Sequence, residues 1–192
     1  MKAVILGIIV LIFTLTICLF TNSLEKLNVS IIVKDYLTTL YDNRTKKNSK
    51  RDFTLFIILP IILGIVFGIF VPITKDFIGV LLTIFSIFLG LMLNLLVLII
   101  DKKSLKQIIN QLIKELFYSI SFSILISILI VITALISSLN IEIIKKIYYY
   151  YFIKYLVSIW IYSLIFLFCL DLFLILKRIH ILLEAIHEDE NK

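Results

Sequence analysis

Residues 77–100 read FIGVLLTIFSIFLGLMLNLLVLII, without one charged side chain. A helix of that length reaches roughly 36 Å, which crosses the ~30 Å hydrocarbon core of a bilayer. In lipid a chain must satisfy its own backbone N–H and C=O groups. A helix does so within one segment, and the stretch therefore predicts an all-α integral membrane protein. Four further stretches are free or nearly free of charge over comparable lengths: about 3–20, 53–74, 116–139 and 150–176. Composition agrees, since the 192 residues are 61% hydrophobic and only 17% charged, with a mean hydropathy of +1.13. An ordinary soluble domain carries about 25% charged residues.

The pieces outside these spans are short: 21–52, 101–115 and 177–192. Even the longest falls below the ~40 residues a domain needs to fold without staples, so a separate soluble catalytic domain is excluded. The expected architecture is a single transmembrane helical domain over 1–192, a bundle of about five helices, or four if the first segment is a cleaved signal. Cleavage is disfavoured. No Ala-x-Ala-like site lies in Leu19 to Ser23, and Ile17 stands before Cys18 where a lipoprotein signal wants a small residue.

Basic residues set the orientation. Segment 21–52 holds Lys26, Lys34, Arg44, Lys46, Lys47, Lys50 and Arg51; segment 101–115 holds Lys102, Lys103, Lys106 and Lys114; the tail holds Lys177, Arg178 and Lys192. The opposite side has only Lys2, Lys75, Lys145 and Lys146. This asymmetry predicts an amino terminus outside the cell and a carboxyl tail in the cytoplasm of a bacterial inner membrane. The abundance of Ile, Lys and Asn fits an AT-rich bacterial genome.

Two of the cytoplasmic pieces are amphipathic. Leu105, Ile108, Ile109, Leu112, Ile113 and Leu116 share one helical face, and Ser104 with Gln107 has the form of a capping box. The helix from about 104 to 138 either stands upright as a continuation of the fourth span or lies on the membrane surface. Val29, Ile32, Val33, Tyr36, Leu37, Leu40 and Tyr41 form a similar stripe, followed by the polar, basic run Asp42–Asp52.

Small and polar residues mark where helices meet in lipid. The third span carries Gly79, Thr83, Ser86, Gly90 and Asn94 on one face. The second has Gly64 and Gly68 one turn after Pro60, where a kink is expected, and the fourth has Ser119, Ser123, Ser127, Ala134 and Ser138 nearly in line. These rows predict helix-packing seams. Asp171, six residues before Lys177, is the intramembrane carboxylate, and such a group at depth costs on the order of ~3 kcal/mol unless partnered. Counting in from the cytoplasmic ends places Asn94, Ser121, Ser123, Thr14 and Thr16 at its level, which predicts a polar layer. The layer reads first as a structural knot and second as the constriction of an ion or proton path.

No enzyme is expected. There is no Gly-x-Ser-x-Gly, no phosphate loop, no His within a span, and one intramembrane carboxylate where a membrane aspartyl protease needs two. Neither cofactor nor metal is expected: Cys18 and Cys169 read as packing residues, and His180, Glu184, His187 and Glu188 as a solvated helix face. The run Ile84–Leu96 and the amphipathic linker before Ile120–Ser127 resemble, in layout, the small multi-pass membrane subunits of bacterial anti-phage defence operons, the Kiwa type among them, although that layout has four spans where five are counted here. The resemblance implies an oligomeric membrane platform working with a cytoplasmic partner protein. The expected function is thus a non-enzymatic scaffold or sensor subunit, in contact with the lipid bilayer, other copies of itself and a cytoplasmic protein, without direct contact to nucleic acid. An ion channel or pore-forming effector, and a holin-like or bacteriocin-immunity protein, are the alternatives.

Overall fold

The computed structural model describes residues 29–42, 47–48, 54–100, 107–144 and 150–190. Helix α1 (Ser30–Thr39) leads into two short antiparallel strands, β1 (Tyr41–Asp42) and β2 (Lys47–Asn48), with Tyr41 opposite Asn48. A π-helical turn, Thr54–Ile58, runs into α2 (Leu59–Phe70), followed by α3 (Lys75–Ile100), α4 (Gln107–Ile144) and α5 (Tyr150–Glu190). The amphipathic stripe at 29–41 thus forms a helix, with Tyr36 buried and Ile32, Val33 and Leu40 packed against the core.

Three helical stretches are long and apolar enough to cross a membrane: Lys75–Ile100, Ile109–Ser138 and Lys154–His187. They correspond to the expected third, fourth and fifth spans. The first, about 3–20, lies outside the described residues. The second differs at its far end: the described apolar helix runs Thr54–Phe70 and stops short of residue 74, while residue 53 lies outside the described residues. Pro72 is the physical reason: a residue before proline is driven out of the helical region, and Val71 sits at φ −128°, ψ 75°. At the other end Pro60 cannot donate to the preceding turn, and the chain there is wound as a π-helix before becoming α at Leu59. The backbone freed by Pro72 is not left bare. Ile73 N–H donates to Ser158 Oγ at 3.0 Å, and Ser158 donates in turn to the Lys154 carbonyl. In lipid an irregular segment persists only with such partners.

The helices alternate in direction. Gly64 faces Ser163 and Gly68 faces Ile159, so α2 runs antiparallel to α5. Ser119 meets Arg178 and Ser123 meets Asp171, so α4 also runs antiparallel to α5, while α3 packs on α4. One core joins Tyr36, Ile78, Leu81, Phe85, Phe122, Ile126, Ile161 and Phe168; a second joins Ile99, Ile109, Leu116, Ile120, Ile175 and Leu182. The expected amphipathic piece stands upright. Helix α4 is unbroken from Gln107 through the fourth span, with Ile109 buried against the second core. Ser104, its expected cap, lies outside the described residues.

Candidate functional site: a buried polar cluster between three helices

In α4 a polar residue recurs every fourth position at Glu115, Ser119, Ser123 and Ser127, a spacing that stacks them along one helical face. The three serines are fully buried. In α5 Asp171 and Arg178 stand seven residues, two turns, apart and so share a face. Antiparallel packing brings these two rows together, and α1 lies across their end.

Asp171 is fully buried, and its Oδ2 accepts from Ser123 Oγ at 2.5 Å. Arg178, 6% exposed, reaches from α5 to two other helices with its guanidinium. Nη1 donates to Ser119 Oγ and, at 3.1 Å, to the Glu115 carbonyl, Nη2 donates to the Thr39 carbonyl of α1 at 3.1 Å, and Nε lies 3.8 Å from Glu115 Oε2. Glu115 is steadied by Gln111, which donates to Oε1 at 3.2 Å. The planar guanidinium with its five donors is the side chain able to reach this many acceptors at once. From α1, Tyr36 stacks on Phe122 with ring centroids 3.8 Å apart and lies against the Asp171 carboxyl. Burial raises the Tyr36 phenol above its usual range and keeps it neutral.

The expected polar layer is therefore partly assembled. Ser123 and Asp171 meet. Ser121, partly buried, stands off the bonded row, and Asn94 sits on the exposed face of α3; Thr14 and Thr16 lie outside the described residues. Arg178, Glu115, Ser119 and Tyr36 are members that sequence reasoning missed. Arg178 was counted with the aqueous tail; its two-turn spacing from Asp171, matched by Glu115–Ser119–Ser123 on α4, was the available signal. Nothing in the sequence linked Tyr36 to a residue 135 positions away.

The packing rows divide. Gly64 and Gly68 do form a seam: a Cβ at Gly64 would stand 2.7 Å from Ser163 N, and one at Gly68 would stand 2.6 Å from Ile159 N. The row on α4 is likewise buried, through Ser119, Ser123, Ser127 and Ala134, although Ser138 is exposed. The row on α3 is not covered by any described helix. Gly79, Thr83, Ser86, Gly90 and Asn94 are all exposed, and a Cβ at Gly79 or Gly90 would meet nothing within 4 Å among the described residues. The packed side of α3 is the opposite one, Ile78, Leu81 and Phe85, where Phe85 meets Phe168 edge-on. Large side chains offer more dispersion contact to α4 and α5 than the small row does. Cys169 is exposed rather than buried among the described residues, and Cys18 lies outside them. His180 and Glu184 form an exposed pair at 3.4 Å, and no group of three His, Cys, Asp or Glu residues able to hold a metal occurs among the described residues. No protein-family model, curated protein or solved structure matches the chain.

Proposed function

We propose that this chain is a non-enzymatic scaffold or sensor subunit of a bacterial inner membrane, oriented with its amino terminus outside, which presents a helical stalk to a cytoplasmic protein. One observation carries the reading. Helices α4 and α5, of 38 and 41 residues, extend about 57 and 62 Å, roughly twice the ~30 Å needed to cross the hydrocarbon. The surplus is organised: Ile109 of α4 and Leu182 of α5 are buried in the second core, and Arg178 ties both helices to α1. A protein that only had to span would gain nothing from ordering this projecting pair, whereas a docking platform requires it.

The polar cluster supports a structural knot over an ion path, because Asp171 and Arg178 already engage Ser123, Ser119, Glu115 and the Thr39 carbonyl. Assembly into homo-oligomers is part of the same proposal, since the Gly79–Asn94 row offers a small-residue face that the described bundle leaves open. A role in anti-phage defence rests on the layout resemblance alone. The test is a photo-crosslinking residue at Leu183, 60% exposed on the stalk, with Phe173, 69% exposed within the span, as control. In cells the Leu183 probe should give one discrete adduct with a soluble protein and the Phe173 probe none. Equal adducts at both sites, or an ion conductance in liposomes that Asp171→Asn abolishes, would overturn the proposal.

A further inference from the structure

The polar cluster holds more negative than positive charge. Arg178 is matched by Glu115, 3.8 Å from its Nε, whereas Asp171 has no cation within 4 Å among the described residues. Two oxygens in the same place lack a hydrogen bond of ordinary length: Asp171 Oδ1 and Tyr36 Oη. They belong to groups brought to one place by neighbouring residues of α4, since Tyr36 stacks on Phe122 and Ser123 bonds the Asp171 carboxyl. Each side chain is almost wholly enclosed, Asp171 at 0% and Tyr36 at 2% exposure.

Among the described residues, few groups could balance the carboxylate. Helix α1 contributes Tyr36, with Lys34 exposed and Asp35 partly buried beside it. Helix α4 contributes Glu115, with Lys114 exposed, and α5 itself contributes Arg178, with Lys177 exposed. Helix α3 contributes only the rings Phe85 and Phe88, which contact Phe168 one turn before Asp171. Arg178 acts on the carboxylate through space but is shared with Glu115, and an enclosed carboxylate with no cation in contact is costly even when it is hydrogen-bonded. A proton removes the charge in place. It also gives the carboxyl a donor, so that Oδ1 and Oη can bond in either direction.

We propose that Asp171 is a proton-binding site, which takes up one proton from water and holds it against Tyr36 Oη while α1 is seated on the bundle. Proton uptake takes the cluster of Asp171, Glu115 and Arg178 from a net charge of one negative to zero. Displacing α1 removes Tyr36 from Phe122, admits water to the carboxyl and lets the proton leave, so seating of α1 and proton binding are linked. Acidification seats α1 and alkalinisation releases it. This site does not depend on whether the stalk docks a protein.

Infrared spectroscopy of the full chain in lipid nanodiscs tests it, using carbon-13 aspartate to mark aspartic acid carbonyl bands. Wild type at neutral pH should show one labelled carboxylic acid band. The band should vanish in Asp171→Asn and shift in frequency in Tyr36→Phe. Hydrogen exchange of the α1 amides, corrected for the intrinsic pH effect, should be slower at acid than at alkaline pH in wild type and lose that difference in Asp171→Asn. A wild type with no labelled acid band, a band unmoved by either substitution, or α1 exchange independent of pH would overturn the proposal. Where Asp171→Asn fails to fold, the wild-type band and its shift in Tyr36→Phe decide the question.

Discussion

Arg178 joins three helices that are far apart in sequence, and its loss should be felt in all of them. Arg178→Leu keeps apolar bulk in place of the stem but removes the donor to the buried Ser119 Oγ and to the half-buried Thr39 carbonyl. We expect a loss on the order of ~3 kcal/mol, as for a broken buried pair, read from denaturant unfolding in detergent. Adding Glu115→Gln should cost less than the two single changes summed, because Glu115 has already lost its cation. Strict additivity of the two would show that the pair does not act as a unit. The need of Asp171 for a partner was legible from sequence, and so was Ser123, because depth along two spans can be counted. Arg178 was not, because counting loop charges assigns every basic residue near a span end to water. The structure shows that two turns of helix suffice to carry such a residue back into the core.

At the level of elements, glycines with the same sequence signature divide into two kinds. Gly64→Ala and Gly68→Ala drive a Cβ into the backbone of α5 and should lower stability by ~1–3 kcal/mol, the usual cost of overpacking. Gly79→Ala and Gly90→Ala meet open space, so the subunit should hold or gain up to ~1 kcal/mol from helix propensity. Thermal unfolding of the four variants in one detergent checks the division, and crosslinking in membranes should show the α3 changes acting on assembly alone. A loss of subunit stability at Gly90→Ala equal to that at Gly64→Ala would place an unseen helix on the α3 row. The difference was illegible in the sequence for a physical reason. A span is apolar on every side, so periodicity does not reveal which face is packed, and small residues mark a possible close approach without naming the partner. The ends of elements read better: Pro72 states where α2 must stop, and the stripe at 29–41 states which side of α1 is covered.

For the whole molecule, the three segments richest in basic residues should share one side of the membrane. Their described parts gather at one end of the bundle, where α1, the start of α4 and the end of α5 meet around Arg178. Reporter fusions at Asn48 and after Lys192 should therefore report cytoplasm, and one near Asn140 the outside. A fusion at Asn48 and one after Lys192 reporting opposite sides would contradict the shared end. The early stop of α2 bears on the surrounding lipid as well. Its apolar helix of 17 residues spans about 26 Å, against about 39 Å for the 26 residues of α3. Acyl chains beside α2 must shorten or splay to meet it, whereas those beside α3 need not, at a cost of fractions of a kcal/mol per Å of mismatch. The described helices thus ask two different thicknesses of one bilayer, and we expect the protein to partition toward thinner membranes in vesicles of graded acyl-chain length.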